Sequence, residues 1–169
     1  MNIFVLHANP RSAAKMACDK HVVKMSLETA QMLCTVAREN RYAETYLYKS
    51  AHLNHPCTRW AAVRYANWEW LCRHGLALCG EYTHRYGKIH KCEEIIRLVY
   101  EGRLGPKKKL LQPMTPFAQA MPEQYKHKDA VTAYRQYYIG EKKRFAKWTN
   151  RNPPKWWRGH NEQEEKENK

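Results

Sequence analysis

The chain has 169 residues, the size of one ordinary domain, and 30 Lys and Arg against 16 Asp and Glu give a formal charge of +14. With 43% hydrophobic and 12% aromatic residues it can bury a sizeable core, which excludes a disordered chain and a disulfide-dependent miniature. No run approaches the roughly 18 to 20 apolar residues of a bilayer span, and Met1 to His7 lacks the basic-then-apolar order of a signal peptide, so a cytoplasmic protein without membrane attachment is expected; a monomer is the expected state, although nothing in these features fixes the oligomer. The cysteines, Cys18, Cys34, Cys57, Cys72, Cys79 and Cys92, are scattered without a CxxC pair, as expected of reduced thiols in a core.

Residues 2 to 7 are apolar strand formers with no partner segment, and are read as an extended arm laid over helices. A first helix is expected from Ser12, a good N-cap following Pro10, to about Arg38. In it Val22, Val23, Leu27, Ala30, Leu33, Cys34 and Ala37 share one arc, and Lys20, His21, Lys24, Glu28, Gln31 and Arg38 the other. Asn54-His55-Pro56 precedes a second helix, roughly Thr58 to Tyr86, stopped by Gly87. Gly102 to Lys128, with four prolines and consecutive Lys107, Lys108 and Lys109, reads as an irregular basic loop holding at most short helical turns. Asp129 is expected to cap a third helix to about Trp148, striped by Tyr134, Tyr138, Phe145 and Trp148. The fold class is therefore all-α, a compact bundle of three long helices with an extended N-terminal arm and an irregular basic loop.

After Lys155-Trp156-Trp157-Arg158, the segment 159–169 holds four Glu and two Lys with almost nothing apolar, and is expected to be a disordered acidic tail. Without its net charge of −2, the single domain 1–158 carries +16. Such a domain attracts a phosphate backbone at long range, so a polyanion is the expected partner.

In the run Cys18 to Glu28, the residues His21, Lys24 and Glu28 succeed one another at three and four positions, so their side chains meet on one helix face. A carboxylate among cations can stabilise developing positive charge or move protons, and a histidine can donate to a phosphate or a leaving base. The same spacing also suits a solvated face of ion pairs. His84, His90 and Cys92 lack a fourth ligand at zinc spacing, so neither a metal nor a cofactor is expected.

The Asp-x-His of residues 19 to 21, followed by six residues and Glu28, on the first helix of a small basic helical protein, resembles the pyrimidine-dimer DNA glycosylase/AP lyase family, the dimer-specific endonuclease V type. Asn54-His55-Pro56 is similar to a step in bacterial relatives. Glu81-Tyr82 through Arg85-Tyr86-Gly87-Lys88 resembles the end of the family's central helix, and Arg151-Asn152-Pro153-Pro154-Lys155-Trp156-Trp157 its closing basic-aromatic segment. The chain also resembles a group of phage proteins of similar length, for which the host cytoplasm would be the setting.

The resemblance implies double-stranded DNA as partner and a glycosylase with AP lyase activity. An α-amine at the chain start would attack the anomeric carbon of a flipped, damaged or modified pyrimidine nucleotide, release the base, and lead through a Schiff base to β-elimination. An α-amine, with a reference pKa of about 7.7 to 8.0, needs no burial to be partly neutral. It also implies that Glu28 stabilises the cationic sugar and assists proton transfer, and that His21 contacts the DNA. Where the family exposes a small hydroxylated residue, this chain has Asn2, before which Met1 is usually retained. The nucleophile is thus the Met1 amine, the Asn2 amine after trimming, or Lys20 or Lys24, unless Glu28 drives simple hydrolysis. Further DNA contacts are expected from Asn54, His55, Lys107, Lys108, Lys109, Arg151, Lys155, Trp156, Trp157 and Arg158, with the two Trp either stacking on bases or sealing the core. The rivals are a non-catalytic phage protein that binds nucleic acid or inhibits a host factor, and a base-modifying enzyme or nuclease on the same scaffold.

Overall fold

A computed structural model of the chain describes residues 1–109 and 112–157. The described residues form α1 (Pro10–Met16), α2 (Asp19–Glu39), α3 (Pro56–Val63), α4 (Tyr65–Tyr86), α5 (Glu93–Glu101), a 3-10 turn (Glu123–Tyr125) and α6 (Ala130–Lys142), with no strand among them. The all-α class and the N-terminal arm are as expected, and Ile3 to Leu6 are buried against the helices. Among the described residues, no helix is long and apolar enough to cross a membrane. Arg158 and the acidic segment 159–169 lie outside the described residues.

Two of the expected long helices are broken. The first starts at Pro10 rather than Ser12, because the Asn9 side chain accepts from the Arg11 and Ser12 amides at 3.0 and 3.1 Å. Proline then takes the first helical position, where an N–H would have no partner anyway. At Ala17 and Cys18 the backbone turns extended before α2 begins. The turn has no Gly or Pro to announce it, and long-range bonds hold it: the Asp19 carboxylate accepts from Thr149 and the Cys18 amide donates to Tyr138 Oη at 3.4 Å. The second expected helix is interrupted at the extended Arg64. There Asn67 Nδ2 donates to the carbonyl of Trp60 at 2.8 Å, occupying an acceptor that the break would strand.

Gly87 stops α4 in the left-handed conformation, φ 65°. The unanticipated α5 is amphipathic and buries Ile95, Ile96 and Val99. Asp129 caps α6 by accepting from the Thr132 amide at 2.9 Å, but the helix ends at Lys142, short of Trp148. The chain then turns back, and Trp148 Nε1 donates to the Met16 carbonyl at 3.0 Å.

α4 lies at the centre, against α1, α2, α3 and α5. Gly75 permits its approach to Thr29 of α2 and Ile96 of α5, since an added Cβ would stand 2.6 Å from the Thr29 methyl. The cysteines are free and buried. An ion-pair node fastens the ends of the bundle. Arg85, fully enclosed, donates to Asp19 at 3.0 Å and to Glu81, and Arg151 clasps Glu81 at 2.6 and 3.1 Å. The faces of α2 differ from the expected arcs: Val23 and Leu27 are each 43% exposed, whereas His21 and Glu28 are buried. Helical spacing cannot foresee that the N-terminal arm and α6 cover the polar flank of α2.

Candidate active site

The chain start is folded by its own second residue. The Asn2 side-chain oxygen accepts from the amides of Ile3 and Phe4 at 2.8 and 3.2 Å, an Asx-type turn, while its Nδ2 donates to the carbonyl of Ala120 at 2.7 Å. Phe4 follows with φ 37°, a conformation costly for a bulky residue, and the backbone bends so that its ring reaches α2.

This turn lowers the first nitrogens onto Glu28. The Met1 amine lies 3.6 Å from Glu28 Oε2, and the Asn2 amide donates to the same oxygen at 2.9 Å. Lys24 Nζ stands 3.5 Å from the other oxygen, one helical turn earlier on α2. Thr58 Oγ1, on α3, donates to the Met1 sulfur at 3.6 Å and helps seat that side chain. His55 caps α3 by accepting from the Cys57 amide at 3.2 Å; partial burial and then the nearby cationic amine at the chain start push its pKa down.

A cavity of about 380 Å³ opens here, lined by Met1, Asn2, Phe4, Lys20, His21, Lys24, Met25, Glu28, Tyr137, Lys142 and Phe145. A larger one, of about 760 Å³, lies apart from these groups, between α1 and α4 around Arg11, Lys15, Arg73 and Tyr100. Three lysines and an amine around one carboxylate make the smaller cavity cationic. Its apolar wall is an aromatic cluster: Phe4 stacks on His21 at 4.2 Å, Lys142 lies 4.4 Å from the Tyr137 ring centre, and Lys20 lies 4.8 Å from that of Phe145. His21 is held neutral, its pKa pushed down to about 3 by burial and then by Lys142 and Lys24.

The structure therefore gathers Met1, Asn2, Lys20, His21, Lys24 and Glu28 in one cavity. Phe4, Tyr137, Lys142 and Phe145 join them from segments with no spacing relation to α2, and no sequence motif marks them as partners of Glu28. Other expected contact residues are elsewhere or engaged. Lys108 lies over the Tyr65 ring at 5.5 Å, with Lys107 and Lys109 exposed beside it. Trp157 is buried against Trp148, and half-buried Trp156 packs on Tyr138 and Arg135. Arg151 is paired with Glu81, while Asn54 and Lys155 are exposed. His84 and His90 meet the carbonyls of Asn150 and Val23, and no group of three His, Cys, Asp or Glu that could hold a metal occurs among the described residues.

Against known proteins, the family model described as pyrimidine dimer DNA glycosylase matches residues 1–94. That span holds the arm, α1 to α4 and the first residues of α5, and so both Glu28 and the chain start. No curated protein and no solved structure matches the chain.

Proposed function

The chain belongs to the pyrimidine dimer DNA glycosylase family, and from that membership we propose that it excises a damaged or modified pyrimidine from double-stranded DNA and then cuts the strand as an AP lyase. The observation that carries this reading is the pair of terminal nitrogens on one Glu28 oxygen, at 3.6 Å for the Met1 amine and 2.9 Å for the Asn2 nitrogen. Whether Met1 is retained or trimmed, an amine would stand at that carboxylate. In the proposed reaction the amine lone pair forms a bond to C1′ of the sugar as the glycosidic C1′–N1 bond breaks. The bonding pair leaves with the base, which takes up a proton. Glu28 sits where it can balance positive charge on the sugar and accept the proton that the attacking nitrogen releases. Opening of the sugar ring gives an imine, and loss of a C2′ proton expels the 3′ phosphate.

The nucleotide must leave the duplex to reach the cavity, and Lys20, Lys24 and Lys142 around the mouth suit its flanking phosphates. The test is incubation with ultraviolet-irradiated, uracil-containing, hydroxymethylated and abasic duplexes, followed by borohydride reduction and peptide mapping of the adduct. A stable crosslink on Met1 or Asn2 is expected. With Glu28→Gln, cleavage should fall by about 10²- to 10⁴-fold while salt-sensitive DNA binding persists. If no duplex is cut or trapped, or if Glu28→Gln cleaves normally, the reading fails.

A further inference from the structure

His21 lines the cavity of Glu28, and among the described residues its ring makes one polar contact, through Nδ1 to Tyr138 Oη. Three aromatic neighbours hold the ring, with Phe4 stacked at 4.2 Å and Tyr138 and Phe145 edge-on at 5.0 and 5.7 Å between ring centres. Tyr138, on α6, is completely buried and lies beyond the span that the family model matches.

The single proton of that phenol has two competing acceptors. Its oxygen accepts from the Cys18 amide at 3.4 Å, which leaves the hydroxyl to donate either to His21 Nδ1 or to Cys18 Sγ at 3.7 Å. An imidazole nitrogen is a much better acceptor than a thiol sulfur, so the phenol proton goes to Nδ1. We infer that Tyr138 is a positioning residue that donates to His21 Nδ1, fixing the tautomer in which Nε2 carries the proton, so that His21 presents a neutral N–H donor to an acceptor oxygen of bound DNA. The opposite tautomer would place a proton acceptor in the cavity and spend the phenol proton on Cys18.

A neutral donor complements the lysines. The cations attract phosphate without regard to orientation, whereas one rigid N–H fixes a single acceptor oxygen at a defined place and direction. The low pKa of His21 agrees with this division, because the ring stays uncharged beside Lys24 and Lys142. DNA as the ligand rests on the function proposed above, but the tautomer does not.

Nitrogen-15 NMR of the intact protein tests both parts, with the His21 signals assigned by their loss in His21→Gln. The expected wild-type spectrum has pyrrole-type Nε2 and pyridine-type Nδ1, unchanged in Cys18→Ala, where only the competing acceptor is gone. Tyr138→Phe should lose the preference, with a mixture of tautomers or a reversal. Addition of a duplex holding a tetrahydrofuran abasic analogue should shift the His21 Nε2–H resonance. A wild-type proton on Nδ1, or reversal in Cys18→Ala, overturns the positioning role, and an Nε2–H unmoved by saturating duplex overturns the donor role. Neither readout needs turnover, so failure here is separate from failure of the borohydride trap.

Discussion

Burial pushes the pKa of His21 down to about 3 and that of His74 to about 4, the latter despite a 3.0 Å contact from its Nδ1 to the Pro10 carbonyl. In the unfolded chain each ring takes up a proton near pH 6.5, and in the folded chain only well below it. The contribution of these neutral rings is therefore complete above about pH 6.5 and is lost as pH falls through the window below it. Urea unfolding at pH 7, 5.5 and 4 should show stability dropping, by at most on the order of 3 kcal/mol per ring at pH 4. His74→Gln should flatten that slope, whatever it does to stability at pH 7; an unchanged slope would mean that another group sets it. Phe4 makes a different bargain. Its left-handed backbone, φ 37°, is costly by about 1–2 kcal/mol, and it is compensated by burying the ring against His21, Tyr134, Tyr137 and Tyr138.

Along α4, two glycines illustrate how packing rather than propensity sets the outcome of one substitution. Gly75 faces Thr29 and Ile96, where an added Cβ would collide with the Thr29 methyl at 2.6 Å, so the helices must part or repack. Gly75→Ala should destabilise by about 1–2 kcal/mol, overpacking outweighing the gain in helix propensity. Gly80 has nothing within 4 Å of its Cβ position and is exposed. Gly80→Ala should stabilise by about 0.5–1 kcal/mol in the same thermal or urea melts. The end of α4 supplies a second contrast. Arg85→Met would strip Glu81 and Asp19 of a fully enclosed partner and should cost about 3–5 kcal/mol. Arg151→Ala leaves Arg85 on Glu81, and removes a cation that is 28% exposed, so it should cost far less.

Taken together, the charge of +14 is distributed so that three lysines ring the Glu28 cavity. For binding to an undamaged duplex, log K should fall linearly with log salt concentration, each neutralised phosphate contributing about 0.9 to the slope. Lys20→Ala and Lys142→Ala should each lower that slope by about 1 if they meet phosphate, whereas Lys24, engaged with Glu28 at 3.5 Å, should contribute less to it. Equal slopes in every variant would place the duplex on another face of the molecule, such as the larger cavity around Arg11, Lys15 and Arg73.

Local chemistry was enough to read the helical class, the buried arm, the stop at Gly87 and the cap at Asp129, because each depends on residues a few positions apart. The His21, Lys24 and Glu28 cluster was legible for the same reason, being one face of one helix. The breaks at Ala17-Cys18 and Arg64 were not, since the bonds that hold them come from Tyr138 and Thr149 in one case and, in the other, from an Asn67 side chain fixed by Thr115, 48 positions further on. Nor could spacing show that Glu28 is covered, that the chain start lies on it, or that Tyr138 sits behind His21. Contacts between residues 26 to 120 positions apart form only when α6 and the arm close over α2, so distance along the chain hides them until the bundle is packed.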